Sequence, residues 1–447
     1  MVAYAAWFST LSSFIYYPAI QSLAKSLSVS VAQINLTVTS YMAVATLAPT
    51  LVGDAADVLG RRPVYLVTLS LYVVANTAIA LSSSYPALVG LRVLQALAIS
   101  GTFSIAYGVI TEIASPAERG SFVSAVAFAS RIAPSLGPIF GGGLSYAAGW
   151  TWIFWFLCIA AGLCLMAMAF ILPETSRNIV GNGGTRPPSY LQLPFSSIMR
   201  HWTATGTTKQ NNWRIPNPLK SLTILVRKDN IGIITACGLL YVIYTCINAS
   251  LSILFINIYR LNQWQAGLIY LPFGLGGTAS TFLSGPLLNG AWRKAGEEQG
   301  LTADKAVGDD LDGFSVEKAR LRVIRLPMII TTLSVVAFGW VLHYHQHISI
   351  PLSLQFIAGL CMQLDFNIYN TLLVDKNHRS LAVAQVSSNI ARCALAAIMV
   401  SFLQDIIDAV VVGWTFNLMV FLCVVATGFF ILDDCYGTKW WYQAVKK

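Results

Sequence analysis

Three arginines and one aspartate lie deep within otherwise apolar stretches of this chain: Arg92, Arg131, Arg392 and Asp365. A charge at the centre of a membrane helix costs about 2.5–3.5 kcal/mol unless it faces protein or water. Charges kept there either do chemistry or hold a structure together. A guanidinium grips a carboxylate through two parallel hydrogen bonds, so Arg131 and Arg392, each near the middle of its apolar run, could clamp an organic anion, with Arg92 as a further contact. The bland alternative is that each pairs with carbonyls or a carboxylate of its own helix bundle. Asp365 is the one acid near the centre of an apolar run. Burial favours its protonated form and a neighbouring arginine its carboxylate, and either environment makes it a proton-coupling candidate. A purely structural salt bridge to Arg392 is the other reading.

Uncharged polar residues recur at helical spacing around these charges. Tyr241, Tyr244 and Asn248 share one face with Thr245 and Ser252. Gln363, Asn367 and Asn370 share another, and Asp365 and Tyr369 are expected beside it. Arg92, Gln95 and Thr102 form a third stripe, and Ser9, Ser12, Ser13 and Tyr16 a fourth. In lipid a polar stripe must face a partner or water. The stripes therefore predict a hydrated path for an amphipathic organic molecule, with interhelical hydrogen bonding as the alternative.

The elements that must position these residues follow from composition. The chain has 447 residues, 56% of them hydrophobic and only 11% charged, against roughly 25% charged in an ordinary soluble protein. That balance excludes disorder, collagen, coiled coil, a disulfide scaffold and several soluble domains. A membrane span takes about 20 apolar residues, and twelve such runs can be placed, at 2–23, 31–52, 64–81, 86–113, 121–147, 150–172, 231–256, 265–288, 327–342, 351–374, 381–407 and 412–432. Residues 1–20 have no basic leader and read as the first span. Of the 28 Lys and Arg residues, 23 fall in loops on one side, two on the other and three within spans. By the positive-inside rule both termini are then cytosolic. The net charge of +9 is an orientation signal facing anionic lipid, not a nucleic-acid site.

Two polar segments, 173–229 and 289–326, hold 24 of the 47 charges. The expected organisation is a six-helix bundle at 1–172, a cytosolic linker at 173–229, a second bundle at 230–434 and a tail at 435–447. The second bundle carries a cytosolic loop at 289–326 with a short amphipathic helix near 316–325. Six spans, a linker and six more spans suggest a parallel internal repeat. The eight cysteines lack metal or redox spacing and read as packing residues, and His343, His345 and His347 read as surface loop. Neither a metal nor a cofactor is expected, and no nucleotide-binding loop is present.

Four motifs narrow the reading. Between the second and third spans stand Gly53, Asp54, Asp57, Gly60, Arg61, Arg62 and Pro63. The glycines permit a tight turn, Asp57 can face a helix N-terminus or a basic partner, and Arg61 and Arg62 are expected to anchor at the lipid surface. The fourth span carries Arg92-Val93-Leu94-Gln95-Ala96 and the fifth Gly137-Pro138-Ile139-Phe140-Gly141-Gly142. The sixth ends in Leu172-Pro173-Glu174-Thr175-Ser176-Arg177. With Asn389-Ile390-Ala391-Arg392-Cys393, these strings resemble the major facilitator superfamily, and within it the twelve-span fungal drug:proton antiporters and related organic-acid exporters. Val58, where the loop signature has a basic residue, and Ala96, where the span 4 signature has Gly, depart from the pattern.

The resemblance implies an all-α membrane protein with twelve transmembrane helices in two six-helix bundles. It also implies a non-enzymatic, proton-coupled exporter of a drug, secondary metabolite or organic acid, working as a monomer by alternating access. Spans 1, 4, 7 and 10 would line the path, Asp54, Asp57 and the Arg392 string would serve gating, and the fifth-span motif would form a smooth seam. An importing symporter or uniporter, or a transporter-like sensor, is the rival reading. A plasma or vacuolar membrane is the expected location.

Overall fold

The computed structural model describes residues 1–113, 119–181, 227–298, 316–376 and 381–445, and every regular element among them is helical. The first half contains α1 (Val2–Phe14), a 3-10 turn (Tyr17–Ala19), α2 (Ile20–Ser26), α3 (Val31–Leu59), α4 (Arg61–Leu81), α5 (Tyr85–Ile99), α6 (Thr102–Ile113), α7 (Arg119–Ala148), α8 (Thr151–Ile171) and the short α9 (Arg177–Val180). The second half contains α10 (Lys228–Tyr259), α11 (Gln263–Leu268), α12 (Leu271–Glu298), α13 (Val316–His343), α14 (Ser349–Lys376), α15 (Leu381–Ala409) and α16 (Val412–Val445).

Ten helices among the described residues are long and apolar enough to cross a membrane. They correspond to the expected spans other than the first and fifth. The first is interrupted where Pro18 enters the 3-10 turn between α1 and α2. The fifth is α7, which carries Pro134 and Pro138. The fourth is a single span, Tyr85–Ile110, in which α5 passes into α6 at Ser100 and Gly101. A Cβ on Gly101 would stand 2.2 Å from the Cβ of Val52, so the missing side chain lets α3 press against the break.

Local chemistry sets the helix ends. Ser30 opens α3 with a capping box: its hydroxyl accepts from the Gln33 amide at 3.1 Å, and the Gln33 side chain accepts from the Ser30 amide at 2.9 Å, satisfying two amides the helix itself cannot. The helix stops at Gly60, whose φ of +103° is open to glycine and costly for other residues. Pro63 then lies in the first turn of α4, where a missing amide removes no helical bond.

The chain divides into two compact units. Unit 1 comprises Met1–Pro218 with Asn262–Leu268, and unit 2 comprises Leu219–Leu261 with Ile269–Lys447. Assignment of Asn262–Leu268 to unit 1 departs from a boundary placed only in the linker. Two further expectations change. The amphipathic stretch near 316–325 is not separate but the first turns of α13, and the expected tail is helical as far as Val445. Most of the expected linker, 182–226, and much of the loop at 289–326 lie outside the described residues.

Within unit 1 the glycines of α7 do specific work. A Cβ on Gly141 would lie 2.0 Å from the Ile15 carbonyl oxygen, and one on Gly142 would lie 2.5 Å from the Gln263 carbonyl oxygen. Gly267 meets the Pro138 carbonyl oxygen at 2.5 Å in the same way, and the Ser145 hydroxyl donates to Gln263 at 2.8 Å. Gly137 and Gly141 therefore pack on the first span of their own unit, and Gly142 packs on α11. The expected smooth seam thus meets the first span through Gly137 and Gly141, and through Gly142 it meets α11, the start of the eighth span. Backbone atoms cannot yield as side chains do. Gly141→Ala and Gly142→Ala are each expected to lose about 1–3 kcal/mol through overpacking, seen as earlier thermal unfolding of the detergent-purified protein. Gly162→Ala, where no atom lies within 4 Å, should leave that transition in place.

Candidate functional site

Arg92 is the largest fully buried side chain among the described residues, at 1% exposure. Its guanidinium carbon lies 4.3 Å from the ring centre of Tyr16 and 4.5 Å from that of Tyr41, so α5 delivers a cation between two π-faces. One Nη donates to the Gln95 side-chain oxygen at 2.5 Å and to the Ser12 carbonyl oxygen at 3.5 Å. The Gln95 amide donates to Asn76 at 2.7 Å, and Asn76 donates to the Tyr72 carbonyl oxygen at 2.7 Å. Tyr72 and Ser12 share a short hydroxyl–hydroxyl hydrogen bond, while Tyr16 bonds Thr37 at 2.7 Å. The network thus ties α1, α3, α4 and α5 together around one positive charge. Among the described residues no carboxylate forms an ion pair with Arg92, and its Nε has no hydrogen-bond acceptor.

Members of two expected stripes thus meet, Arg92 and Gln95 of one and Ser12 and Tyr16 of the other. Thr102 lies one turn beyond the α5–α6 break and bonds the Ala5 carbonyl oxygen at 3.2 Å. Arg131 on α7 is half-buried with Tyr107 of α6 as its electrostatic neighbour. Sequence reasoning passed over Asn76, Tyr41, Tyr72 and Thr37. The single amide in the α4 span was the signal available for Asn76.

A second polar cluster in unit 1 surrounds the loop motif. Arg61 pairs with Asp57 at 2.5 Å and with Glu112 at 3.2 Å, and Glu112 accepts from the Thr175 hydroxyl at 2.9 Å. The Glu174 carboxylate accepts from the backbone amides of Arg61 and Arg62 at 2.9 and 3.2 Å, and from those of Thr175 and Ser176 at 3.0 and 2.9 Å. It thereby caps the N-terminus of α4, where orphan amides and the helix dipole favour an anion. Arg62 donates to the Ala169 carbonyl oxygen at 2.8 Å. Arg61 and Arg62 are 8% and 6% exposed; they are buried structural cations and not lipid-surface anchors, because carboxylates and a carbonyl inside the unit meet them. Asp54 is half-buried, and Gly53 lies 3.6 Å (from an ideal Cβ) from Ser104.

In unit 2 the aromatic face of α10 is assembled as expected. Tyr241 stacks on Tyr244 with ring centres 5.7 Å apart, and both meet Phe366 edge-on at about 6 Å. Asn248 donates to the Tyr244 carbonyl oxygen at 2.7 Å, and Tyr270 donates to the Asn248 carbonyl oxygen at 2.8 Å. The Gln363 amide donates to Asn367 at 3.4 Å, and Asn370 is half-buried on the same side of α14. Arg392 of α15 stands 5.6 Å from the Tyr241 ring centre. No ion pair joins Arg392 to Asp365 among the described residues. Asp365 is fully buried and meets the Thr331 hydroxyl of α13 at 3.4 Å. At about 100° per residue it lies half a turn round α14 from Gln363, so its expected place beside the amide face is corrected.

Comparisons with known proteins agree with this architecture. Residues 2–399 match the family model described as Major Facilitator Superfamily. MFS-type transporter tstD of Talaromyces stipitatus is 32% identical over 455 residues, which cover 99% of this chain and 82% of that protein. Citrate exporter 1 of Aspergillus niger is 34% identical over 455 residues, covering 98% and 85%. Among solved structures, a bacterial homolog of the human lysosomal transporter Spinster aligns with a TM-score of 0.66 at 10% identity, over 98% of this chain and 96% of that one. The human organic anion transporter MFSD10 aligns with a TM-score of 0.55 at 16% identity, over 96% and 98%. These two likenesses concern the fold.

The Glu174 cap is testable apart from any substrate. Replacing an acceptor that serves charged or N-terminal amides costs about 1–3 kcal/mol, so Glu174→Ala is expected to lower the unfolding temperature in detergent. Glu174→Gln, which keeps the acceptor oxygen and loses the charge, should fall between the variant and the wild type.

Proposed function

We propose that this chain, which belongs to the major facilitator superfamily, is a proton-driven exporter of a small organic anion, with a carboxylic acid as its substrate class. One observation carries the reading: Arg92 is a buried cation held by rings and amides, and among the described residues no carboxylate pairs with it. A buried charge without a counter-ion is costly, and a substrate carboxylate is the ligand that would relieve it. The Tyr16 and Tyr41 rings keep the guanidinium in place while it is empty. A carboxylate reaches it when those rings part, completing the donors that Gln95 and Ser12 leave open. The relative named a citrate exporter supports an acidic substrate.

Transport proceeds by alternating access between two six-helix halves, with both termini in the cytosol and the plasma membrane as the location. Arg131 serves as a second contact for a larger anion on the same unit. Asp54, Asp57, Arg61, Gly60 and the fifth-span glycines act in the conformational change and not on substrate, and Arg392 belongs with them. The Tyr241, Tyr244 and Phe366 cluster, with Gln363, Asn367 and Asn370, favours a second reading in which the substrate is a larger amphipathic metabolite or drug whose apolar part lies on those rings.

Flux of radiolabelled citrate and of a cationic dye into reconstituted vesicles separates the two substrate readings. Loss of a charged hydrogen bond of about 1.5–3 kcal/mol predicts that Arg92→Gln lowers citrate flux roughly tenfold or more while the dye is little affected. Arg92→Lys, which keeps charge but not the planar fork, should be intermediate. Unchanged citrate flux in properly inserted Arg92→Gln protein would remove the anion reading.

A further inference from the structure

The two faces of α14 differ in chemistry. Gln363, Asn367 and Asn370 occupy one face. Half a turn away stands Asp365, with Tyr369 one turn further along. That second face is buried in the seam formed with α13 and α16: Thr331 of α13 meets Asp365 Oδ2, and Tyr369 stacks on Phe430 of α16 with ring centres 4.8 Å apart. Asp365 is 0% exposed, and its Oδ1 has neither donor nor acceptor within reach.

Among the described residues no cation is paired with this carboxyl. Cys361 on its own helix and Cys423 from α16 are its titratable neighbours, and neither bears a charge in a buried seam. From α13 it meets the Thr331 hydroxyl. Arg392 of α15 is directed at Tyr241 and Cys237. Among the described residues of α10 and α12, none forms an ion pair with it. A dry carboxylate with one weak donor is far costlier than the neutral acid, so the seam as it stands holds Asp365 with its proton. Releasing that proton requires water or a cation to enter between α13, α14 and α16, and hence a rearrangement of the seam.

We infer that Asp365 is a proton-binding site of the transport cycle, placed on the face of α14 opposite its amide face, so that the proton acts through movement of the helix and not as a ligand shared with the substrate. The inference rests on the transport reading above and assigns its driving ion a place. The carboxyl takes up one proton when the seam closes and releases that proton when the seam admits water, with no other bond made or broken. Thr331 is a positioning residue, since its hydroxyl fixes one carboxyl oxygen.

The test uses the full chain in proteoliposomes with radiolabelled citrate. Asp365→Asn mimics the protonated acid. It is expected to lower pH-gradient-driven accumulation by about tenfold, a typical coupling factor, and to flatten the dependence of citrate flux on pH. Asp365→Glu keeps a titratable group and should recover part of the gradient response. Dicyclohexylcarbodiimide, which adds to a protonated carboxylic acid and rearranges to a stable N-acylurea, should label Asp365 at neutral pH, read by peptide mass spectrometry. Saturating citrate should not protect it by direct competition. Retained gradient-driven accumulation in Asp365→Asn, or absence of the adduct at neutral pH, overturns the inference. If wild type moves no citrate, the substrate reading fails, and the same wild-type and Asp365→Asn comparison made with a cationic dye still decides the proton site. Asp365→Leu, apolar in an apolar seam, should unfold no earlier than wild type, separating lost coupling from lost fold.

Discussion

Hydrocarbon supplies neither hydrogen bonds nor counter-ions, so every polar atom placed in a span must find its partner inside the protein. That constraint shapes unit 1 around Arg92. Four helices converge on one guanidinium, and the partners they bring are rings, amides and carbonyls instead of acids. Each member is in turn satisfied by the next: Gln95 by Asn76, Asn76 by the backbone of α4, Tyr16 by Thr37. The chain of amides spreads the demand of a single charge across the helix faces and fixes their rotation. A carboxylate supplied by the protein would neutralise the site. Among the described residues none does so, and the cation is held in position but electrically incomplete.

At the other end of the unit the same constraint is met in the opposite way. Arg61 and Arg62 are buried too, yet carboxylates are brought near them: Asp57 and Glu112 pair with the Arg61 guanidinium, and Glu174, held on the backbone amides of both, is the electrostatic neighbour of Arg62. Glu174 also satisfies the amides that open α4, which is why Gly60 can have no side chain. A Cβ there would lie 2.5 Å from the Glu174 carboxylate. Neutralised cations make a structural joint, and an unneutralised one makes a candidate binding group. The contrast between these two clusters is a stronger functional argument than the burial of either.

Much of this was legible beforehand. Helical periodicity grouped Arg92 with Gln95 and Ser12 with Tyr16, and lipid forces such polar stripes to face partners. The alternation of apolar runs with charged loops placed the helices, since those lengths are dictated by the bilayer. What could not be read was partnership at long range. Arg61 and Arg62 looked like surface anchors because their carboxylate partners Glu112 and Glu174 lie far away in sequence. Asp365 looked like a neighbour of Gln363 and Asn367 because spacing alone does not say which third helix covers a face; Phe430 and Thr331 decide that. The prolines and glycines of α7 were recognised as a close-packing surface, but Ile15 and Gln263, the backbone groups they accommodate, are invisible in the pattern.

The separation of the charges bears on coupling. Arg92 belongs to unit 1 and Asp365 to unit 2, and Asp365 faces away from the amide side of its own helix. A transporter in which proton and substrate compete for one carboxylate couples them by direct displacement. Among the described residues the basic group has no acidic partner to lose and the acid no basic partner to release, which disfavours that route. On the proposed reading, exchange between an anion and a proton is then enforced by conformations that each tolerates: a closed seam that holds the neutral acid, and a parted pair of rings through which an anion reaches Arg92. Differential affinity for two states is sufficient for such coupling. It asks of Asp365 only that one state keep it dry, and the seam of α13, α14 and α16 does so.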